Sequence, residues 1–116
     1  MSAVYTGTVK PADAEERVTI RIETDENHVV TSASFDAEGG ERLRDCARVL
    51  CEQLLEKDVC DLFQMTNNVI YYNVEPDLKR DELYLASICV LAAKRAAADC
   101  CRKNGLPFET GCCDCV

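Results

Sequence analysis

Histidine is nearly absent from this sequence of 116 residues: His28 is the sole one, and it falls in the turn-rich run Asp25-Glu26-Asn27-His28. A Ser-His-Asp or Cys-His arrangement would rest entirely on that residue, which its charged neighbours place in solvent, so nucleophilic hydrolase chemistry is not expected. A glycine-rich phosphate loop is missing too, since Gly39-Gly40 has neither the further glycines nor the lysine that such loops use. No apolar run approaches the roughly 20 residues needed to cross a bilayer, and residues 1–10 lack the basic and apolar regions of a secretion signal. Positive charge is also in short supply. With 13 basic against 21 acidic residues the formal net charge is −8, and such a field repels phosphate backbones and anionic lipid heads. The expectation is a cytoplasmic protein that meets neither nucleic acid nor membrane.

What the sequence has in excess is cysteine, nine in all. An odd number leaves at least one thiol unpaired in any intramolecular scheme, and without a secretion signal reduced thiols are the default. Hydrophobic residues at 47% and charged residues at 29% sit near globular averages. A chain of this length fits one domain, read as residues 1–105, followed by a cysteine-rich tail over residues 106–116.

The run Val18-Thr19-Ile20-Arg21-Ile22-Glu23 alternates apolar and polar residues with the period of a half-buried strand. After the turn, Val29-Val30-Thr31-Ser32-Ala33-Ser34-Phe35 carries β-branched residues and completes a hairpin, and Val4-Tyr5-Thr6-Gly7-Thr8-Val9 is a candidate third strand on an edge. Beyond Gly39-Gly40 the period becomes helical: Leu43, Cys46, Ala47, Val49, Leu50 and Leu54 share a face, which predicts a helix over residues 41–56. Two short helices are expected over residues 59–74, where Asn67-Asn68 interrupts the apolar residues. Pro76-Asp77 marks a break. A long helix over residues 81–103 follows, with Leu85, Ile88, Cys89, Ala92, Ala96 and Cys100 as its buried stripe and Gly105 and Pro107 as its stop. Strands first and helices afterwards give an α+β class, a three-stranded antiparallel sheet packed against helices with a long C-terminal helix.

The order hairpin, Phe35-Asp36-Ala37-Glu38-Gly39, helix, Leu54-Leu55-Glu56-Lys57, Met65-Thr66-Asn67-Asn68 and the Ala-rich Leu91-Ala92-Ala93-Lys94-Arg95-Ala96-Ala97-Ala98-Asp99 resembles the iron–sulfur cluster assembly scaffolds, the family of IscU and the N-terminal domain of NifU. The similarity covers residues 15–104. Members hold a cluster through three cysteine thiolates, and the resemblance places those ligands near Asp13-Ala14-Glu15-Glu16, at Gly40, and at Leu85, with Tyr84 where the family has histidine. None of these positions carries a thiol here, so the family pocket is expected to be empty of metal and filled by Leu85.

The cysteines that are present lie elsewhere. Cys46, Cys51, Cys89 and Cys100 read as small buried hydrophobes, although Cys89 stands one helical turn from Leu85, and Cys60 lies near a helix start. Cys100, Cys101, Cys112, Cys113 and Cys115 crowd into 16 residues and are the candidate metal ligands, for zinc or an iron–sulfur cluster. They could equally form a redox pair, or be cysteines tolerated in a tail against which nothing packs. Residues 102–112, extended, reach about 33 Å, enough to bring the tail back to Cys100. Two functions remain open: a divergent scaffold binding metal or an iron–sulfur cluster through these thiols, and a metal-free interaction module on the same fold. The resemblance implies a cysteine desulfurase as the partner. No enzymatic activity is expected.

Overall fold

The computed structural model describes residues 3–12 and 15–106. Three strands, β1 (Ala3–Val9), β2 (Arg17–Thr24) and β3 (Val30–Glu38), form an antiparallel sheet in the order β1-β2-β3. Helix α1 (Glu41–Leu54), a 3-10 turn at Val59–Gln64, the single-turn helix α2 (Asn68–Tyr71), a second 3-10 turn at Arg80–Glu82 and helix α3 (Leu83–Asn104) complete it. The α+β architecture read from the sequence is therefore present, with the candidate third strand on the edge.

The period-two alternation sorts the sheet into two chemistries. Val18, Ile20 and Ile22 of β2 are fully buried beneath the helices, each worth about 1.5–3 kcal/mol of burial. On the opposite face Thr6 stands across from Arg21, Thr8 from Thr19 and Arg21 from Ser34, and the Thr8 and Thr19 hydroxyls bond to each other at 2.9 Å. The described helices all lie against the apolar face.

Helix α1 buries Leu43, Cys46, Ala47, Val49, Leu50, Cys51 and Leu54, the anticipated stripe plus one more thiol. Helix α3 buries more than its anticipated stripe: Ala86, Val90, Ala93, Ala97, Ala98 and Cys101 are also inside. It is enclosed because β1 and β2, α1 and the turn at Val59–Gln64 all pack around it. Gly105, in the left-handed region at φ 67°, ends it and donates its N–H to the Cys101 carbonyl, as a C-terminal glycine cap does. Leu106 still packs on the core. The rest of the expected tail, from residue 107, lies outside the described residues.

The two edges of the sheet are finished differently. Along β1, the Asp99 carboxylate accepts the Thr6 N–H at 3.4 Å and Arg95 Nη1 donates to the Thr8 carbonyl at 2.8 Å. At β3 the chain covers one end: Val30 N–H donates to the Lys57 carbonyl and Glu56 N–H to the Val30 carbonyl, both at 2.8 Å. Among the described residues no strand pairs with β3 beyond that point.

Candidate functional site

The segments that the scaffold resemblance assigns to cluster ligands come together at one end of the fold. Glu16 leads into β2, Gly39 and Gly40 link β3 to α1, and Tyr84 and Leu85 open α3. Tyr84 Oη donates to Glu16 Oε2 at 3.4 Å. Gly39, at φ 132°, lies so close to Glu16 that a β-carbon there would stand 2.9 Å from Glu16 Cγ. Gly40 is the N-cap of α1 at φ 124°, with open space where its side chain would be.

What these residues can do chemically is not cluster ligation. Iron–sulfur clusters take thiolates, whereas the junction presents the Glu16 carboxylate, the Tyr84 phenol and the apolar Leu85, which is buried. Poor solvation, and then the Glu16, Asp81 and Glu82 carboxylates, push the Tyr84 phenol above its ordinary pKa, so it remains a neutral donor. An arginine ties the same junction from behind. Arg42, the second residue of α1, pairs with Asp45 at 3.0 Å and Glu82 at 3.6 Å and donates to the Pro76 carbonyl. Its guanidinium thus joins α1 to the segment that leads into α3. Glu16 and Glu82 thus both have partners here, in Tyr84 and Arg42.

The nearest thiols lie deeper. Cys46 and Cys89 are fully buried, and Cys89 Sγ faces the Leu43 carbonyl at 4.0 Å. Burial pushes Cys46 up to about 11 against the lowering influence of Arg42, and burial with the Glu52 charge beside it does the same to Cys51. Cys89 is raised further, by burial first and then by Cys46 and Cys51. All three thiols are therefore protonated at neutral pH.

Among the sequence-derived metal candidates, Cys100 and Cys101 are both buried on α3. Cys100 Sγ accepts from Asn104 Nδ2 at 3.6 Å, and burial raises its pKa. Cys112, Cys113 and Cys115 lie outside the described residues. Cys60 is exposed, at the start of the turn at Val59–Gln64. Among the described residues no group of three or more His, Cys, Asp or Glu side chains is arranged to hold a metal ion.

Two features escaped the sequence reading. His28 is not simply solvated: it adopts φ 63° and is half-buried, and its Nδ1 is shielded from water without a hydrogen-bond partner. Its N–H donates to the Asp25 carbonyl and its carbonyl accepts from Val59, so backbone bonds of the turn hold it there. The second is an exposed aromatic region beside the junction of Glu16 and Tyr84. Tyr72 is 81% exposed, Tyr84 50% and Leu83 39%, and Tyr71, Tyr72, Asp77, Leu78 and Leu83 line a common depression. No helix among the described residues is long and apolar enough to cross a membrane. In comparisons with known proteins, no family model matches the chain, and no curated protein matches it.

Proposed function

We propose that this protein is a divergent form of the iron–sulfur scaffold fold in which the cluster site has become a metal-free junction, and that it works by engaging a protein partner. The observation that carries the reading is the Tyr84–Glu16 hydrogen bond beside the buried Leu85. It joins the segments to which the family resemblance assigns ligands, and it fills their meeting point with oxygen and hydrocarbon instead of sulfur. The exposed Tyr72, Leu83 and Tyr84 stand at the same end. Tyrosines in such a setting provide large, semi-rigid contact area, the kind enriched at protein interfaces. By the resemblance, the partner class is a cysteine desulfurase.

The reading in which the protein carries zinc or a cluster rests on Cys100, Cys101 and the three tail cysteines. The burial of Cys100 and Cys101 argues against it, because two of the five thiols would have to leave the core to ligate.

The test is anaerobic reconstitution with ferrous iron and sulfide, and separately with zinc, followed by metal and sulfide analysis. In parallel, binding to a cysteine desulfurase is measured by calorimetry. Substoichiometric metal, together with desulfurase binding that Tyr72→Ala and Tyr84→Ala weaken, is expected. Stoichiometric metal that disappears in the C112S/C113S/C115S variant would establish the metal-carrying reading instead.

A further inference from the structure

The contrast between the two sheet edges points to an interface. Asp99 and Arg95 occupy two of the outward backbone groups of β1, the Thr6 N–H and the Thr8 carbonyl, and side chains laid along an edge in this way hinder it from recruiting another strand. Those two bonds also fix which residues face outward. Thr6 and Thr8 turn their N–H and C=O groups away from β2, so their opposites Arg21 and Thr19 turn theirs toward β3, where they meet Ser34 and Asp36. Ala33 and Phe35 therefore present their backbone groups to the open edge.

The side chains beside that edge are apolar. Ala33 and Phe35 with Cys51 and Leu55 line a groove of about 370 Å³ between β3 and α1, rimmed by Arg48 and Glu52. Leu55 is 44% exposed, and Ala33 and Phe35 are only partly covered. An unpaired strand bordered by an apolar groove is a surface built to be paired.

We propose that its occupant is a second copy of this chain, joined through β3 about a two-fold axis at Ser34, so that the two sheets become one antiparallel sheet of six strands. Three features of the edge suit a two-fold mate. In this register Ala33 exchanges both backbone hydrogen bonds with the second copy's Phe35, and each phenyl ring lies over the small alanine opposite. On the outer face Ser34 meets Ser34 and Asp36 meets Ser32, so no like charges are opposed. Arg48 and Glu52 lie one turn apart on α1, and a two-fold axis sets the two α1 helices antiparallel, so each Arg48 faces the other copy's Glu52. Such a pattern is self-complementary, as an isologous interface requires. Arg48 is already shared with Asp45 at 3.1 Å, but its side chain is 58% exposed and remains available. The paired stretch stops where Glu56 and Lys57 take over the edge at Val30.

Sedimentation velocity in reducing buffer, from low to high micromolar protein, tests this. The parent is expected to dimerise with concentration. Arg48→Glu and Glu52→Arg should each weaken the dimer about tenfold by opposing like charges twice per interface, and the R48E/E52R double variant should restore it. Both sites are on the surface, and circular dichroism verifies that each variant is folded. A parent that stays monomeric throughout overturns the proposal. So does a dimer that neither reversal weakens, or one that the double variant does not recover.

Discussion

Gly7 of β1 lies directly against the backbone of α3 at Ala92: a β-carbon on Gly7 would stand 2.2 Å from the Ala92 carbonyl oxygen and 2.4 Å from the Ala96 amide nitrogen. Both obstacles are main chain, so neither can rotate away. Gly7→Ala should force strand and helix apart and cost about 3 kcal/mol, the upper end of typical overpacking penalties. Urea denaturation measures it. A loss below about 0.5 kcal/mol, the usual size of a surface change, would show that the contact is looser than described.

Asp99 and Arg95 close the β1 edge, and Asp99 also pairs with Lys103 at 3.2 Å. Asp99→Ala leaves the Thr6 N–H without its acceptor. The expected cost is about 1 kcal/mol of stability, with faster amide exchange at Thr6. Unchanged exchange there would mean that the carboxylate does not guard the strand.

Arg42 links α1 to the segment around Pro76 and to Glu82. Arg42→Ala leaves Glu82 without its guanidinium and Asp45 with Arg48 alone, for a loss of about 1–2 kcal/mol. Residues 75–82 should become the first site of limited proteolysis. If cleavage appears elsewhere first, the arginine is not what holds that segment.

Thiol reactivity separates the cysteines. In a C112S/C113S/C115S background, Cys60 should label quickly at neutral pH, slowed by the raised pKa that poor solvation, Asp58 and Asp61 give it. Cys46, Cys51, Cys89, Cys100 and Cys101 should label only on unfolding, because all five are buried. Fast native labelling of Cys46 or Cys89 would mean that the interior between α1 and α3 is open to reagent.

The same burial makes stability pH-dependent in a known direction. Cys46 and Cys51 are raised from 9.0 to about 11, so the folded state binds their protons more tightly than the unfolded chain does. Their contribution is intact below about pH 9 and is lost between about pH 9 and 11. Denaturation of the parent and of C46A/C51A across that window should show the parent falling further, by on the order of 2 kcal/mol after allowing for partial solvent screening. Parallel curves would mean that neither thiol ionises on unfolding.

The strands and the two long helices were legible because each carries a period: Val18, Ile20 and Ile22 alternate, and Leu43, Ala47, Leu50 and Leu54 recur at helical spacing. Glu16, Gly40, Tyr84 and Leu85 were singled out only through a resemblance, and nothing in the sequence showed how their side chains would meet. The Tyr84–Glu16 bond spans 68 positions, and the bond from Arg42 to Pro76 spans 34; no local pattern encodes either. Cys101 fell off the single stripe expected of α3 because a stripe assumes one neighbour, while this helix is enclosed on several sides. His28 looked solvated because its sequence neighbours are charged, yet the turn folds it back against Val59. The open edge of β3 could not be read at all, since whether a strand has a partner depends on where every other segment ends.

The contact of β1 with α3 bears on how this chain can change over time. At Ala92 and Ala96 it is the main chain of the helix that lies against Gly7, so no exchange of side chain on α3 can make room for a β-carbon on the strand. The constraint therefore falls on the glycine alone, a single position of β1 at which the packing of strand on helix admits no side chain.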